Sequence, residues 1–193
     1  MAQTQPIRNT EEIEQLKNYY LKDNPNMRNY ALITTGLNTA LRISDILKLK
    51  WENIYDSNSG IFLKHIKITE TKTEKWICIA INENLKDALT RLRSSYKRPP
   101  KPTDYIFTGR HSKSPLSRSQ AFRIIKKACY DLSLSIEISP HSLRKTFGYK
   151  AWSEGVSPVI IMAIYNHSSF SITKRYLGIE QDDKDAVFRD IQL

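Results

Sequence analysis

The sequence predicts a mainly α-helical domain with one small antiparallel β-sheet, an α+β fold. Apolar residues recur at helical spacing, as in Ala121, Phe122, Ile125, Ala128, Cys129 and Leu132. One segment alternates with period two instead, through Ile66 and Ile68, then Ile77, Ile79 and Ile81, around a charged tip at 69–75. Helix starts are also marked: Ser139-Pro140 offers a capping serine and a proline at the first helical position.

In order along the chain, a first helix starts after Asn9 and runs to about Leu21, with Asn9 capping and Glu12 answering it. Asn24-Pro25-Asn26 ends it. A second helix covers about 28–35, stopping near Gly36, and a third runs from Thr39 to about Lys50. The β-hairpin follows. Helix returns over about 84–96, and Pro99, Pro100 and Pro102 lead to a short apolar piece at 105–107. Segment 117–132 is an amphipathic helix with Arg123, Lys126 and Lys127 away from its apolar stripe. Short helices are predicted at 158–165 and 171–177. A last helix from about Asp183 has Ala186, Val187, Phe188 and Ile191 on an apolar face. Internal repeats and low-complexity segments are absent from the sequence.

The 193 residues fit one domain, 1–193, long enough to bury a core, and 40% apolar residues with three Trp suit a folded protein. Net charge is +10, which favours an anionic partner. Between Lys86 and Lys127 twelve Lys or Arg face two acids, so this stretch holds the whole excess. The plain alternative is a solubilising face. Interleaved Tyr96, Tyr105 and Phe107 favour a nucleic-acid surface, with Arg110, Lys113, Arg118, Arg123, Lys126 and Lys127 as candidate contacts.

Cys78 and Cys129 sit in apolar surroundings and read as two small core residues in a reducing cytosol. Cys and His lack metal-ligand spacing, so neither a metal nor a cofactor is expected. The longest apolar run, 159–165, is too short for a bilayer, and the N-terminus lacks a signal-peptide core. A cytoplasmic protein without a membrane partner is expected.

Four features carry chemistry. Arg42, on the third helix, shares a row with Ile46 and Leu49; a partly buried guanidinium needs a partner, which Asp45 can supply. The alternative is an ordinary surface i,i+3 pair. The hairpin tip carries Lys72, which is either solvated or delivered into a groove as a proton donor. His141 and Arg144 share a face at the positive end of a helix, where an anion finds imidazole, guanidinium and free N–H groups. Tyr176 follows His167 by nine residues. A phenol with pKa near 10 is a poor nucleophile unless its surroundings activate it, and Tyr176 is one of ten tyrosines.

Taken together, Thr35-Gly36-Leu37, Ala40-Leu41-Arg42-Ile43-Ser44-Asp45-Ile46-Leu47, Lys72-Thr73, His141-Ser142-Leu143-Arg144, Asn166-His167-Ser168-Ser169 and Tyr176 resemble the tyrosine recombinase (phage integrase) family over about 9–193. The resemblance implies that family's catalytic-domain fold and a reaction that needs neither metal nor ATP. By position, Tyr176 would attack the scissile phosphorus and form a 3′-phosphotyrosine. Arg42 and Arg144 would hold non-bridging oxygens, and Lys72 would protonate the leaving 5′-oxygen. His141 would assist proton transfer at the nucleophile, His167 would hydrogen-bond the phosphate, and Asp45 would orient the site.

Two flanking positions depart from the family pattern. Lys145 stands where His is frequent, and Tyr165-Asn166 stands where Leu-Gly is usual. About eight residues precede the first helix, so the N-terminal clamp domain of most members is expected to be absent. The resemblance further implies a bacterial homotetramer on paired DNA sites, joined by exchange of the C-terminal helix and monomeric without DNA. The alternatives are docking of that helix onto its own domain, a type IB topoisomerase-like relaxing enzyme, or a catalytically silent DNA-binding regulator.

Overall fold

The computed structural model describes residues 4–109, 113–134, 138–179 and 181–191. Its helices are α1 (Thr10–Asn18), α2 (Met27–Asn38), α3 (Ile43–Ile46), α4 (Glu83–Ser94) and α5 (Arg118–Asp131), then α6 (Pro140–Ser153), α7 (Pro158–Tyr165), α8 (Phe170–Leu177) and α9 (Gln181–Asp190). A π-helical turn, Tyr19–Asp23, extends α1 to about the predicted end. Strands β1 (Tyr55–Asp56) and β2 (Ile61–Phe62) form one antiparallel pair, and β3 (His65–Thr69) and β4 (Trp76–Ala80) another. The predicted hairpin is the second pair, so the described residues form two small sheets rather than one. The first is only two residues long on each side, too short to show alternation.

The predicted caps, Asn9 and Ser139, act as caps, and Ser117 is a further one. Asn9 accepts from the Glu11 amide, one position earlier than expected. Ser117 and Gln120 form a reciprocal capping box on α5, and Ser139 and Ser142 form one on α6. Helix α2 is buried from Asn29 to Leu37 and packs between α4 and α6. Around it lies the main core, which includes Trp51, Ile54, Leu85, Leu89, Phe107 and Ile125. The 105–107 piece reaches this core because the Ile106 amide bonds to the Leu49 carbonyl.

A smaller core joins α6, α7 and α8 through Ala40, Ile161, Tyr165, Leu177 and Ile179, with Tyr176 packed against it. Gly148 makes this junction possible. A Cβ there would lie 2.6 Å from Leu177 and 2.7 Å from the Tyr165 ring, both fully buried. Only glycine lets α6 approach this closely.

Three expectations need correction. Residues 39–50 are not one helix: α2 runs on to Asn38, Ala40 turns left-handed (φ 52°), and only Ile43–Ile46 is helical afterwards. Cys78 is exposed on β4, and Cys129 alone belongs to the core. Phe122 is 45% exposed although it lies on the apolar stripe of α5. Among the described residues, no helix is long and apolar enough to cross a membrane, and no cluster of three or more His, Cys, Asp or Glu could hold a metal ion.

Candidate active site

Arg42, His141, Arg144, His167 and Tyr176 meet in one cluster, assembled from the α2–α3 junction, α6, the α7–α8 turn and α8. Arg144 sits one turn into α6 and is 4% exposed. Its guanidinium donates to the Ala40 carbonyl and lies 4.8 Å from the centroid of the Tyr165 ring. The left-handed turn at Ala40 therefore has a local purpose, since it aims that carbonyl at Arg144. The same break releases Arg42 from helical geometry (φ −69°, ψ 146°).

Asp45 does not serve as the partner of Arg42. The pair is with Glu70 on the hairpin tip, where Arg42 Nη1 donates to Oε1 at 2.6 Å. Arg144 Nη1 lies 3.9 Å from the same oxygen. Glu70 is 4% exposed, and its Oε2 accepts from the Thr73 hydroxyl at 2.6 Å. Burial works to raise its pKa, but the hydrogen bonds from Thr73 and Arg42 and the two guanidinium charges outweigh that and hold it low. Asp45 is buried and accepts from the Thr71 amide at 2.9 Å, which anchors the tip to α3. Lys72 stands apart from the cluster, exposed on that tip.

Tyr176 is held by rings. His141 and His167 meet it edge-on, with centroids 5.0 and 5.1 Å away, and Tyr165 lies against it at 5.2 Å. The Lys145 ammonium sits 5.2 Å from the ring centroid and donates to the Thr4 carbonyl at 2.6 Å. The Tyr176 hydroxyl is buried without a hydrogen bond of good geometry, and the Arg144 guanidinium is close enough to interact with it. Burial raises its pKa, while the charge of Arg144, its approach to the hydroxyl and the charge of Arg42 pull it down, with burial prevailing. At neutral pH it is a phenol and needs a base.

The histidines can supply one. His141 lies at the rim, partly open to solvent. Desolvation of its inner side, reinforced by the Lys145, Arg144 and Arg42 charges, depresses its pKa to about 4. It is therefore neutral at neutral pH, and the negative charge of an incoming phosphate would raise its pKa and strengthen it as a base. His167 is likewise lowered, by burial first and then by Arg144 and Arg42. Its Nδ1 lies 3.0 Å from the Thr173 hydroxyl, which itself donates to the Ser169 carbonyl. With the hydroxyl proton committed to that carbonyl, Nδ1 is the donor and Nε2 is left unprotonated in the neutral ring.

Sequence reasoning missed Glu70, Tyr165 and Asn166 as site residues. Glu70 follows Ile66 and Ile68 at period two, one residue past the end of β3, and so continues that strand's inward face into the tip. Tyr165 fills the floor, and its hydroxyl donates to the Arg144 carbonyl at 2.6 Å. Asn166 ends α7 with φ 59°, a conformation in which asparagine replaces glycine at little cost. Unlike glycine it brings a side chain, whose Oδ1 accepts from Lys75 at 2.8 Å and ties the hairpin to the His167 turn.

The proposed DNA contacts divide. Arg118, Phe122 and Arg123 line an open groove of about 540 Å³ with Ile43, Pro140 and His141, next to the site. Lys113 is exposed, and Lys127 is paired with Asp131 at 2.8 Å. The Lys126 ammonium lies 5.5 Å from the centroid of the Phe122 ring. Arg110 lies outside the described residues.

The chain matches the model of the phage integrase family over residues 8–182. It is 40% identical to the Bacillus subtilis (strain 168) protein named "Probable integrase/recombinase YoeC", over 96% of this chain and 95% of that one. It is 28% identical to tyrosine recombinase XerC of Halalkalibacterium halodurans over 93% of its own length and 59% of that protein's. The fold is similar to the crystal structure of XerA recombinase, with TM-score 0.75 and 20% identity over 97% of this chain and 65% of that one. The chain belongs to the phage integrase family, the tyrosine recombinases, which break and rejoin DNA in site-specific recombination.

Proposed function

We propose that Tyr176 is the nucleophile and that the surrounding cluster drives strand cleavage and rejoining on double-stranded DNA. The observation that carries this reading is a buried phenol hydroxyl without a well-formed hydrogen bond, set among two guanidinium groups and two neutral imidazoles. His141 takes the Tyr176 proton as the oxygen attacks phosphorus. Arg42 and Arg144 stabilise the charge that builds on the non-bridging oxygens. The P–O5′ bond breaks, Lys72 gives its proton to the 5′-oxygen, and a 3′-phosphotyrosine is left. His167 contacts the phosphate once the added negative charge favours its protonation. Asp45 holds the tip that carries Lys72. The phosphotyrosyl ester keeps the bond energy of the diester, so the reverse attack by a 5′-hydroxyl rejoins the strand. Arg118 and Arg123, beside His141, would follow the duplex out of the site.

Because a sulfur leaving group needs no proton, Lys72→Ala is expected to slow cleavage of an ordinary 5′-oxygen by at least ~10²-fold and to spare a 5′-thio substrate. Single-turnover rates on the two substrates give the comparison. Equal slowing of both would remove Lys72 as the acid.

Assembly as a homotetramer through the C-terminal helix is supported by α9, where Val187, Phe188 and Ile191 are 53%, 82% and 61% exposed. Val159, Ile160 and Ile164 leave an apolar face open on α7, a surface of the kind α9 of a second copy would cover. A relaxing enzyme acting as a monomer has no use for such faces. Phe188→Glu touches no core and is expected to abolish joining of two sites while single-site cleavage persists. Unchanged two-site recombination would remove α9 from the assembly.

A further inference from the structure

Glu70 places one carboxylate oxygen 2.6 Å from Arg42 Nη1 and 3.9 Å from Arg144 Nη1. These are the two groups assigned to the phosphate, and a carboxylate and a phosphate are both oxyanions that guanidinium binds through paired donors. Arg144 and Glu70 are each 4% exposed, and a cation so buried requires a counter-anion. Without DNA, Glu70 supplies it. With DNA, the diester brings a second anion to the same donors, and two anions within contact distance in a buried site repel strongly.

We propose that Glu70 occupies the phosphate position in the DNA-free enzyme and that the scissile phosphate displaces it. The displacement cannot stay local. The Glu70 amide bonds to the Lys75 carbonyl and the Glu74 amide to the Glu70 carbonyl, closing the tight tip that holds Lys72. That tip is anchored from outside by Asp45 to Thr71 and by Lys75 to Asn166. When Glu70 leaves the arginines, the turn carrying Lys72 is rearranged by the same event. Phosphate entry thereby brings the proton donor, now exposed, into play, and ions that bind too weakly to expel the carboxylate do not.

The inference rests on Arg42 and Arg144 being the phosphate grip, and its test separates the two ideas. Inorganic phosphate binding is measured by calorimetry on the wild type, Glu70→Gln, Thr73→Val and the double variant Glu70→Gln/Arg144→Ala, with hydrogen exchange followed at 70–75. Removing an occupant restores the affinity its occupancy hid, so Glu70→Gln is expected to bind phosphate at least ~10-fold more tightly. Thr73→Val, which loosens the carboxylate, should shift binding the same way by less. Saturating phosphate should speed exchange at the tip of the wild type. Equal phosphate affinity of wild type and Glu70→Gln, or tip exchange indifferent to phosphate, overturns the displacement. If the double variant bound phosphate as well as Glu70→Gln does, the arginine grip itself would fail.

Discussion

Tyr176→Phe is expected to fold as well as the wild type, bind DNA equally, and form no covalent adduct. The ring contacts with His141, His167 and Tyr165, and the cation above the ring at Lys145, need only the aromatic face, which phenylalanine keeps. The hydroxyl is buried without a well-formed hydrogen bond, only the Arg144 guanidinium compensating in part, and leaving such a group unsatisfied costs a folded protein up to about 1–3 kcal/mol. Such a group is a mark of function, because a residue selected for stability alone would lose the oxygen. The unfolding temperature should therefore hold or rise slightly in the Phe variant. Denaturing gels on a nicked duplex, from which the short cleaved product escapes, would show a shifted band for wild type only. A covalent band in the Phe variant would move the nucleophile elsewhere.

Arg144→Ala should be as severe in rate and more complex in cause. Loss of one transition-state donor predicts at least ~10²-fold slower cleavage. The same guanidinium also binds the Ala40 carbonyl, covers the Tyr165 ring and offsets part of the Glu70 charge, so stability should fall by about 1–3 kcal/mol. Arg144→Lys separates the roles. Its charge still answers Glu70 and the fold should survive, yet an ammonium cannot span two oxygens as the fork does, and cleavage should stay at least ~10-fold down. Single-turnover rates beside thermal unfolding decide it. A Lys variant cleaving at the wild-type rate would reduce Arg144 to a point charge.

What could be read from the chain follows a physical division. Caps and periodicities are local, so Asn9 and Ser139 announced their helices, the apolar stripe of 117–132 announced α5, and the isoleucines of β3 and β4 announced the long hairpin. The break at Ala40 was hidden because a non-glycine residue in left-handed geometry leaves no mark in composition; tertiary contact with Arg144 sustains it. Helical spacing across 39–50 then suggested Asp45 as the partner of Arg42, where the fold brings in Glu70 from 28 residues away. Phe122 and Cys78 show the converse limit, since apolar neighbours in sequence do not guarantee burial. The cluster itself was legible as residue types in order. Its electrostatics were not: the depressed His141 and the buried Tyr176 hydroxyl depend on what four distant segments bury together.

Helix α8 is eight residues long and bounded by two left-handed joints, Asn166 (φ 59°) three residues before its cap and Gly178 (φ 68°) directly after its last residue. Tyr176 sits near one end of this short rod, and Thr173 and Leu177, both fully buried, fix how the rod is turned about its own axis. The joint at Gly178, whose carbonyl accepts from Arg8, is also where the chain departs toward α9, so the root of the tail and the seat of the nucleophile are fastened to the body at one point.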